Sequence, residues 1–197
     1  RLQRMVPCLW WPDQLEQGAA EGADIETEFT TMDAVQDAPV PLPTTHWLED
    51  DESLFGRRFF VVEYLPGSAP VTWDPRERST LYDAWDDPDR QLPHQFVAAV
   101  AGIHSVSAED VPGIETIPAD EVVDRHLDRW EQVYRDSGFA PEPALEEAIR
   151  WFRANKPEVP ETTLVHGDFR IGNTLVEDNE LQGVLDWELA HCGAPLY

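Results

Sequence analysis

Apolar residues recur at helical spacing in four stretches of the chain. Ile25, Phe29, Met32 and Val35 predict a helix over residues 24–36. Phe96, Val97, Val100 and Ile103 predict a second over 95–104. Val123, Leu127, Trp130 and Tyr134 predict a third over 120–137, and Leu145, Ile149 and Phe152 a fourth over 144–155. Trp130 and Trp151 read as core residues of these last two helices. Between the helices the pattern changes to short runs of β-formers. Residues 44–48 and 58–65 predict two strands, the second containing Phe59-Phe60-Val61-Val62-Glu63-Tyr64. An acidic turn at 49–53 separates them. Pro39, Pro41 and Pro43 alternate through 37–43 and impose an extended linker. The acidic, Pro-containing segment 68–92 predicts a short helix around 75–85.

The C-terminal stretch reads differently. Leu164-Val165 opens a strand, Thr174-Leu175-Val176 and residues 181–185 form a hairpin around 178–180, and the last strand delivers Asp186 and Glu188. The loop inside this frame carries His166, Asp168 and Asn173. Transfer of a phosphoryl group needs such a set. One carboxylate orients and deprotonates a hydroxyl, and an amide plus a second carboxylate hold magnesium. Magnesium takes hard oxygen ligands, which Asn173 and Asp186 both offer. Asp168 sits where a side chain reaches an acceptor hydroxyl and is the candidate base. The five-residue step from Asp168 to Asn173 matches the protein-kinase catalytic loop. A plain acidic surface hairpin would place one such residue by accident, but not the joint pattern.

His-Gly-Asp-x-x-x-x-Asn followed by Asp-Trp-Glu resembles the aminoglycoside phosphotransferase family of small-molecule kinases. The nearest branch includes the kinase-like domains of some acyl-CoA dehydrogenase family proteins and actinobacterial phosphotransferases. The resemblance implies an α+β, protein-kinase-like, two-lobed fold, incomplete at both ends. Residues 1–65 would be a partial N-lobe ending in the hinge, and 66–197 a partial C-lobe with the catalytic loop and metal-binding strand. It implies ATP and Mg²⁺ as cofactors and a small-molecule hydroxyl as acceptor. Glu63, Tyr64 and Leu65 would line the nucleotide pocket, with the cleft between this strand and residues 184–186. Arg4 would contact phosphates, and Glu28 would pair with that basic residue. His166 would brace the loop, and Glu188 would brace it or bind metal through water. The expected activity is phosphorylation of an alcohol by ATP. The alternative is a catalytically silent nucleotide-binding or scaffold protein of the same fold. A metal hydrolase built on the Asp/Glu/His cluster is a remoter reading, and it would favour a transition metal.

Composition narrows the partners. The net charge of −25, from 14 basic and 39 acidic residues, argues against nucleic acid, which needs a basic face. The acids are spread along the chain, as on a solvated surface; a negative cleft for a cationic substrate is the competing reading. Cys8 and Cys192 lie in no metal-binding pattern and read as ordinary thiols. No apolar run reaches membrane-span length and no signal-peptide pattern opens the chain, so a cytoplasmic location is expected. The acceptor and the oligomeric state are not encoded in any motif.

Overall fold

The computed structural model describes residues 5–9, 25–76, 78, 83, 86 and 92–195, the first five as backbone only. Elements are numbered in chain order: β1 Met5–Leu9, α1 Ile25–Ala34, β2 Thr45–Glu49, β3 Phe59–Glu63, α2 Leu92–His104, α3 Val122–Asp136, α4 Pro143–Ala154, β4 Thr163–Val165, β5 Thr174–Glu177, β6 Glu180–Val184 and β7 His191–Gly193. The expected helices and strands thus form within a few residues of their predicted limits. The short helix expected around 75–85 lies largely outside the described residues. α2 begins three residues before its predicted start, because Pro93 is compatible with a first helical turn.

β1, β3 and β2 make an antiparallel sheet in that order. β3 is central, and its first four residues are all buried. A strand covered on both faces needs apolar residues at every position, which explains the unbroken Phe-Phe-Val-Val run. α1 packs on this sheet through Phe29, whose ring lies 5.8 Å from that of Phe60. The sheet and the later ribbons share one core. Phe60, Val62, Ile103, Leu164, Val184 and Trp187 belong to a single buried cluster.

The 37–43 linker is clamped rather than loose. The Val184 N–H donates to the Pro41 carbonyl (2.8 Å), and the Gln36 side chain donates to that of Pro43 (3.1 Å). α2 approaches the linker so closely that a Cβ on Gly102 would lie 2.7 Å from the Pro39 carbonyl oxygen. α2 buries Leu92, Ala99, Gly102 and Ile103, while Val97 is 70% exposed. Val97 therefore lies off the inner face, and the small residues Ala99 and Gly102 are what let the helix approach.

Trp130 and Trp151 are also not core. They are 52% and 56% exposed, and α4 has no buried residue. α3 and α4 are amphipathic as predicted, but they pair with each other mainly through charges. Arg135 bonds Glu131 and Glu146, and Arg153 bonds Asp128 and Glu131. β5 and β6 form the expected hairpin, with Asp178 and Asn179 both at positive φ (49° and 62°). That pair is what a two-residue loop of mirror type requires, and Glu180 belongs to the strand rather than the turn. β7, which nothing in the sequence announces, pairs antiparallel with β4. Among the described residues no helix is long and apolar enough to cross a membrane.

Candidate active site

β4 ends at Val165 and releases His166, Gly167 and Asp168 into a loop. Gly167 has φ 85°, and a Cβ there would overlap the Leu189 carbonyl. The loop therefore lies directly on the turn that follows Asp186. His166 is buried and ties the two together. Its Nε2 lies 2.9 Å from the Leu185 carbonyl, and the Asp168 N–H reaches its Nδ1 at 3.3 Å. The pair of contacts fixes a tautomer with the proton on Nε2. Burial pushes the His166 pKa down to about 4. The ring also packs 4.7 Å from that of Trp187, which is fully buried.

A single 3₁₀ turn, Ile171–Asn173, carries Asn173 back beneath Asp168. Asn173 is buried, and its Nδ2 donates to the Asp168 carbonyl (3.0 Å) and to Asp168 Oδ2 (2.8 Å). With the amide hydrogens engaged, Oδ1 is the atom left for a cation. The Leu185 N–H donates to the Asn173 carbonyl (2.9 Å), which locks this turn to the end of β6.

β6 stops at Val184, one residue short of its predicted limit. Asp186 adopts the left-handed conformation (φ 68°, ψ 58°), and a 3₁₀ turn, Trp187–Leu189, follows. The kink aims Asp186 away from a strand direction. Its pKa is raised by burial, then by Glu188 and Asp168, while Arg170 opposes the shift. Mutual repulsion of this kind places Asp168, Asp186 and Glu188 around one space.

α1 supplies a fourth carboxylate. Glu28 is buried against the Trp187–Leu189 turn and accepts a hydrogen bond from the Trp187 N–H. Burial, then Asp186 and Glu188, raise its pKa to about 7. Its expected partner Arg4 lies outside the described residues.

The segment after β3 meets this region from the sheet side. The Glu63 N–H donates to the Thr44 carbonyl, and Glu63 Oε2 accepts from Thr44 Oγ1 (2.7 Å). Tyr64 is exposed. Leu65 Cδ1 lies 2.7 Å from where a Cβ on Gly183 would sit. Ser68 then bridges to Val176 of β5. The 58–65 and 184–186 segments are therefore neighbours, not opposite faces. His166, Asp168, Asn173, Asp186, Glu188 and Glu28 converge; Leu65 meets β6 at Gly183, while Glu63 is engaged with Thr44 and Tyr64 is exposed.

Sequence reasoning overlooked Arg170. Its Nε donates to Asp168 Oδ2 at 3.0 Å, a charge-assisted bond that orients the carboxylate. Its position two residues after Asp168 was the available signal. The structural burden on Gly167 and Trp187 also escaped notice, although both stand inside the quoted motifs.

The sequence profile of the phosphotransferase enzyme family matches residues 16–197. The chain belongs to this family. Mouse acyl-CoA dehydrogenase family member 10 is 34% identical over 179 residues, covering 87% of this chain and 16% of that protein. A crystal structure from Ralstonia eutropha, provisionally assigned as an aminoglycoside phosphotransferase, superposes with a TM-score of 0.71 at 26% identity. The match covers 90% of this chain and 53% of that one. The apoenzyme of a macrolide 2′-phosphotransferase from Brachybacterium faecium gives 0.60 at 28%, covering 98% and 61%. A thermostable aminoglycoside phosphotransferase mutant, in a ternary complex with ADP and hygromycin B, shares the fold at 20% identity and a TM-score of 0.53. The match there covers 86% of this chain and 58% of that one. The fold is thus the α+β, kinase-like one of these solved structures, and the chain spans between half and two thirds of their length and 16% of the mouse relative's.

Proposed function

We propose that the protein is a small-molecule kinase that moves the γ-phosphate of ATP to a substrate hydroxyl. The observation that carries the reading is the Asp168–Asn173 contact at 2.8 Å, beside an Asp186 whose ionisation Asp168 opposes. Chemistry of this type needs a base, two oxygen ligands for a hard cation, and little else from the protein.

Asp168 Oδ2 is held by Asn173 and Arg170, so the carboxylate is fixed before substrate arrives. It would accept the hydroxyl proton as the new bond to phosphorus forms. Asn173 Oδ1 and an Asp186 oxygen would hold magnesium, which supplies charge neutralisation at the phosphates when bound. Both donors are hard oxygens, and a cation there would relieve the crowding of Asp168, Asp186 and Glu188. Among the described residues no group of three His, Cys, Asp or Glu side chains is arranged to hold a metal. Magnesium suits such a setting, since it keeps waters and phosphate oxygens in its shell. Arg170 would sit near the transferring phosphate and brace Asp168. His166 braces the loop, and Glu28 and Glu188 complete the charged wall. The hinge residues Glu63, Tyr64 and Leu65 would line the adenine side, in a nucleotide-holding part (1–65) set against a catalytic part (66–197). Arg4 would contact phosphates. The bound ADP and hygromycin B of the fold relative support a nucleotide and a small hydroxyl compound as the two ligands. A cytoplasmic setting fits ATP use.

The test is ADP release from ATP–Mg with a panel of hydroxyl compounds, on the protein and on Asp168→Asn. The variant keeps shape but cannot take a proton. Loss of about a hundredfold or more in kcat, with ATP affinity retained, is expected. Equal turnover would remove Asp168 from the chemistry; no ADP release with any compound would favour a silent scaffold.

A further inference from the structure

A cavity lies near the carboxylate cluster. It measures about 330 Å³, within the range of small-molecule pockets. Thr27 of α1, the 113–117 loop, Arg125, His126 and Arg129 of α3, and residues 190–192 line it. Thr27 precedes Glu28, so the two side chains point about 100° apart around α1. The cavity therefore opens on a different face of α1 from the one that meets Asp186.

Its charge is the reverse of the molecule's. The chain has 39 acids and 14 bases, yet this cavity carries two arginines against Glu115 alone, with two neutral histidines beside them. Glu115 is already engaged, bonding Arg125 at 2.8 Å, and Arg125 also holds Glu121. Arg129 is different. Among the described residues it forms no ion pair, although Arg58, Arg135, Arg150, Arg153, Lys156 and Arg170 all do. Its guanidinium stacks 5.9 Å from the Trp130 ring instead. In so acidic a chain, an arginine with no carboxylate partner among the described residues needs a reason. The rings of His126 and His191 meet edge to face at 4.9 Å. Arg129 sits close enough to lower the pKa of both, after burial has done most of it. A bound anion would pair with the Arg129 guanidinium, beside two neutral imidazoles.

We infer that the cavity between α1, α3 and β7 binds a small molecule through its carboxylate or phosphate group, with Arg129 as the principal contact. Arginine's planar fork matches either oxyanion, and the apolar wall of Ile114, Ile117 and Ala190 suits the rest of a short organic chain. The inference concerns binding and stands apart from the transfer chemistry.

The experiment titrates inorganic phosphate and, separately, butyrate into the protein while the imidazole NMR signals of His126 and His191 are followed. Saturable shifts with at least one anion are expected. Phosphate alone would assign a phosphorylated ligand, and butyrate alone or preferentially a carboxylate. Arg129→Gln should weaken the affinity about tenfold or more, as loss of a charged hydrogen bond does. Arg129→Lys should weaken it less. Arg150→Gln, which removes an exposed arginine paired to Glu147, should leave it unchanged. Arg129 is exposed, so an unaltered circular-dichroism melt is expected for each variant. If neither anion shifts the two histidine signals, or if Arg129→Gln binds as the unaltered protein does, the inference is overturned.

Discussion

Two single residues hold the candidate site in shape. Gly167 combines a positive φ with direct contact on the Leu189 carbonyl. An alanine there meets strain in the left-handed region and an overlap with backbone that cannot rotate away. Gly167→Ala should therefore cost several kcal/mol, about 1–3 from strain alone. It should also push the His166–Asp168 loop off the Trp187 turn. Chemical denaturation checks the first point, and ATP–Mg affinity checks the second. A variant as stable as the parent would show that the loop has room to move. Asp186 belongs to the same scale. It pays for its place with burial and like-charge neighbours, a cost that a cation would offset. Asp186→Ala should thus stabilise the unliganded chain slightly while abolishing magnesium-dependent nucleotide binding. Calorimetric titration of ADP with and without magnesium separates the two effects; metal-dependent binding that survives in the variant would remove Asp186 from the ligand set.

The contact between elements with the clearest pH signature is α1 on the Trp187–Leu189 turn. Glu28 is held there with a pKa near 7 against an ordinary value of 4.5. A carboxyl whose folded pKa is raised binds more protons folded than unfolded. Stability is then full below the unfolded value and falls as pH rises from about 4.5 to about 7. Asp186 and Glu188 face Glu28 across the contact and add to the effect. Glu28→Gln mimics the protonated form. It should match the parent near pH 4.5 and exceed it by up to about 3 kcal/mol at pH 8. Urea melts at the two pH values test this, and a constant difference would place Glu28 outside the charged cluster. The sequence carried much of this element-level arrangement. Continuous Phe-Phe-Val-Val marked a central strand, Asp178-Asn179 marked a tight hairpin, and the Asp168, Asn173, Asp186 spacing marked the loop. What it hid depends on contacts between distant segments. β7 exists because Leu164 and Cys192 meet in register, not because His-Cys-Gly favours a strand. The left-handed Asp186 follows from the Leu185 N–H being drawn to Asn173. The amphipathic face of α4 was legible, but periodicity reports only that a face is apolar, not that something covers it.

Across the whole molecule, two electrostatic effects oppose one another. A net charge of −25 on a chain of 197 residues repels itself in the compact state. Against this stand ion pairs such as Arg153–Asp128, Arg135–Glu146 and Lys156–Asp124, which tie α3 to α4 and to the segment after it. Salt weakens both, so the direction of its effect reveals which dominates. The pairs are largely exposed, and exposed pairs are worth about 0–1 kcal/mol each. The repulsion is summed over a large excess of like charges spread across one surface, and folding brings them closer. The Debye length shrinks from about 10 Å at 0.1 M to about 3 Å at 1 M, a distance that spares contact pairs more than it spares long-range repulsion. Potassium chloride raised from about 0.05 M to about 0.5 M should therefore increase Tm. The α3–α4 pair, rich in exposed ion pairs and poor in buried apolar contacts, should gain less than the rest. Differential scanning calorimetry measures the first, and hydrogen exchange resolved by segment measures the second. A fall in Tm over that range would mean that the ion-pair network, not the charge excess, governs the stability of this chain.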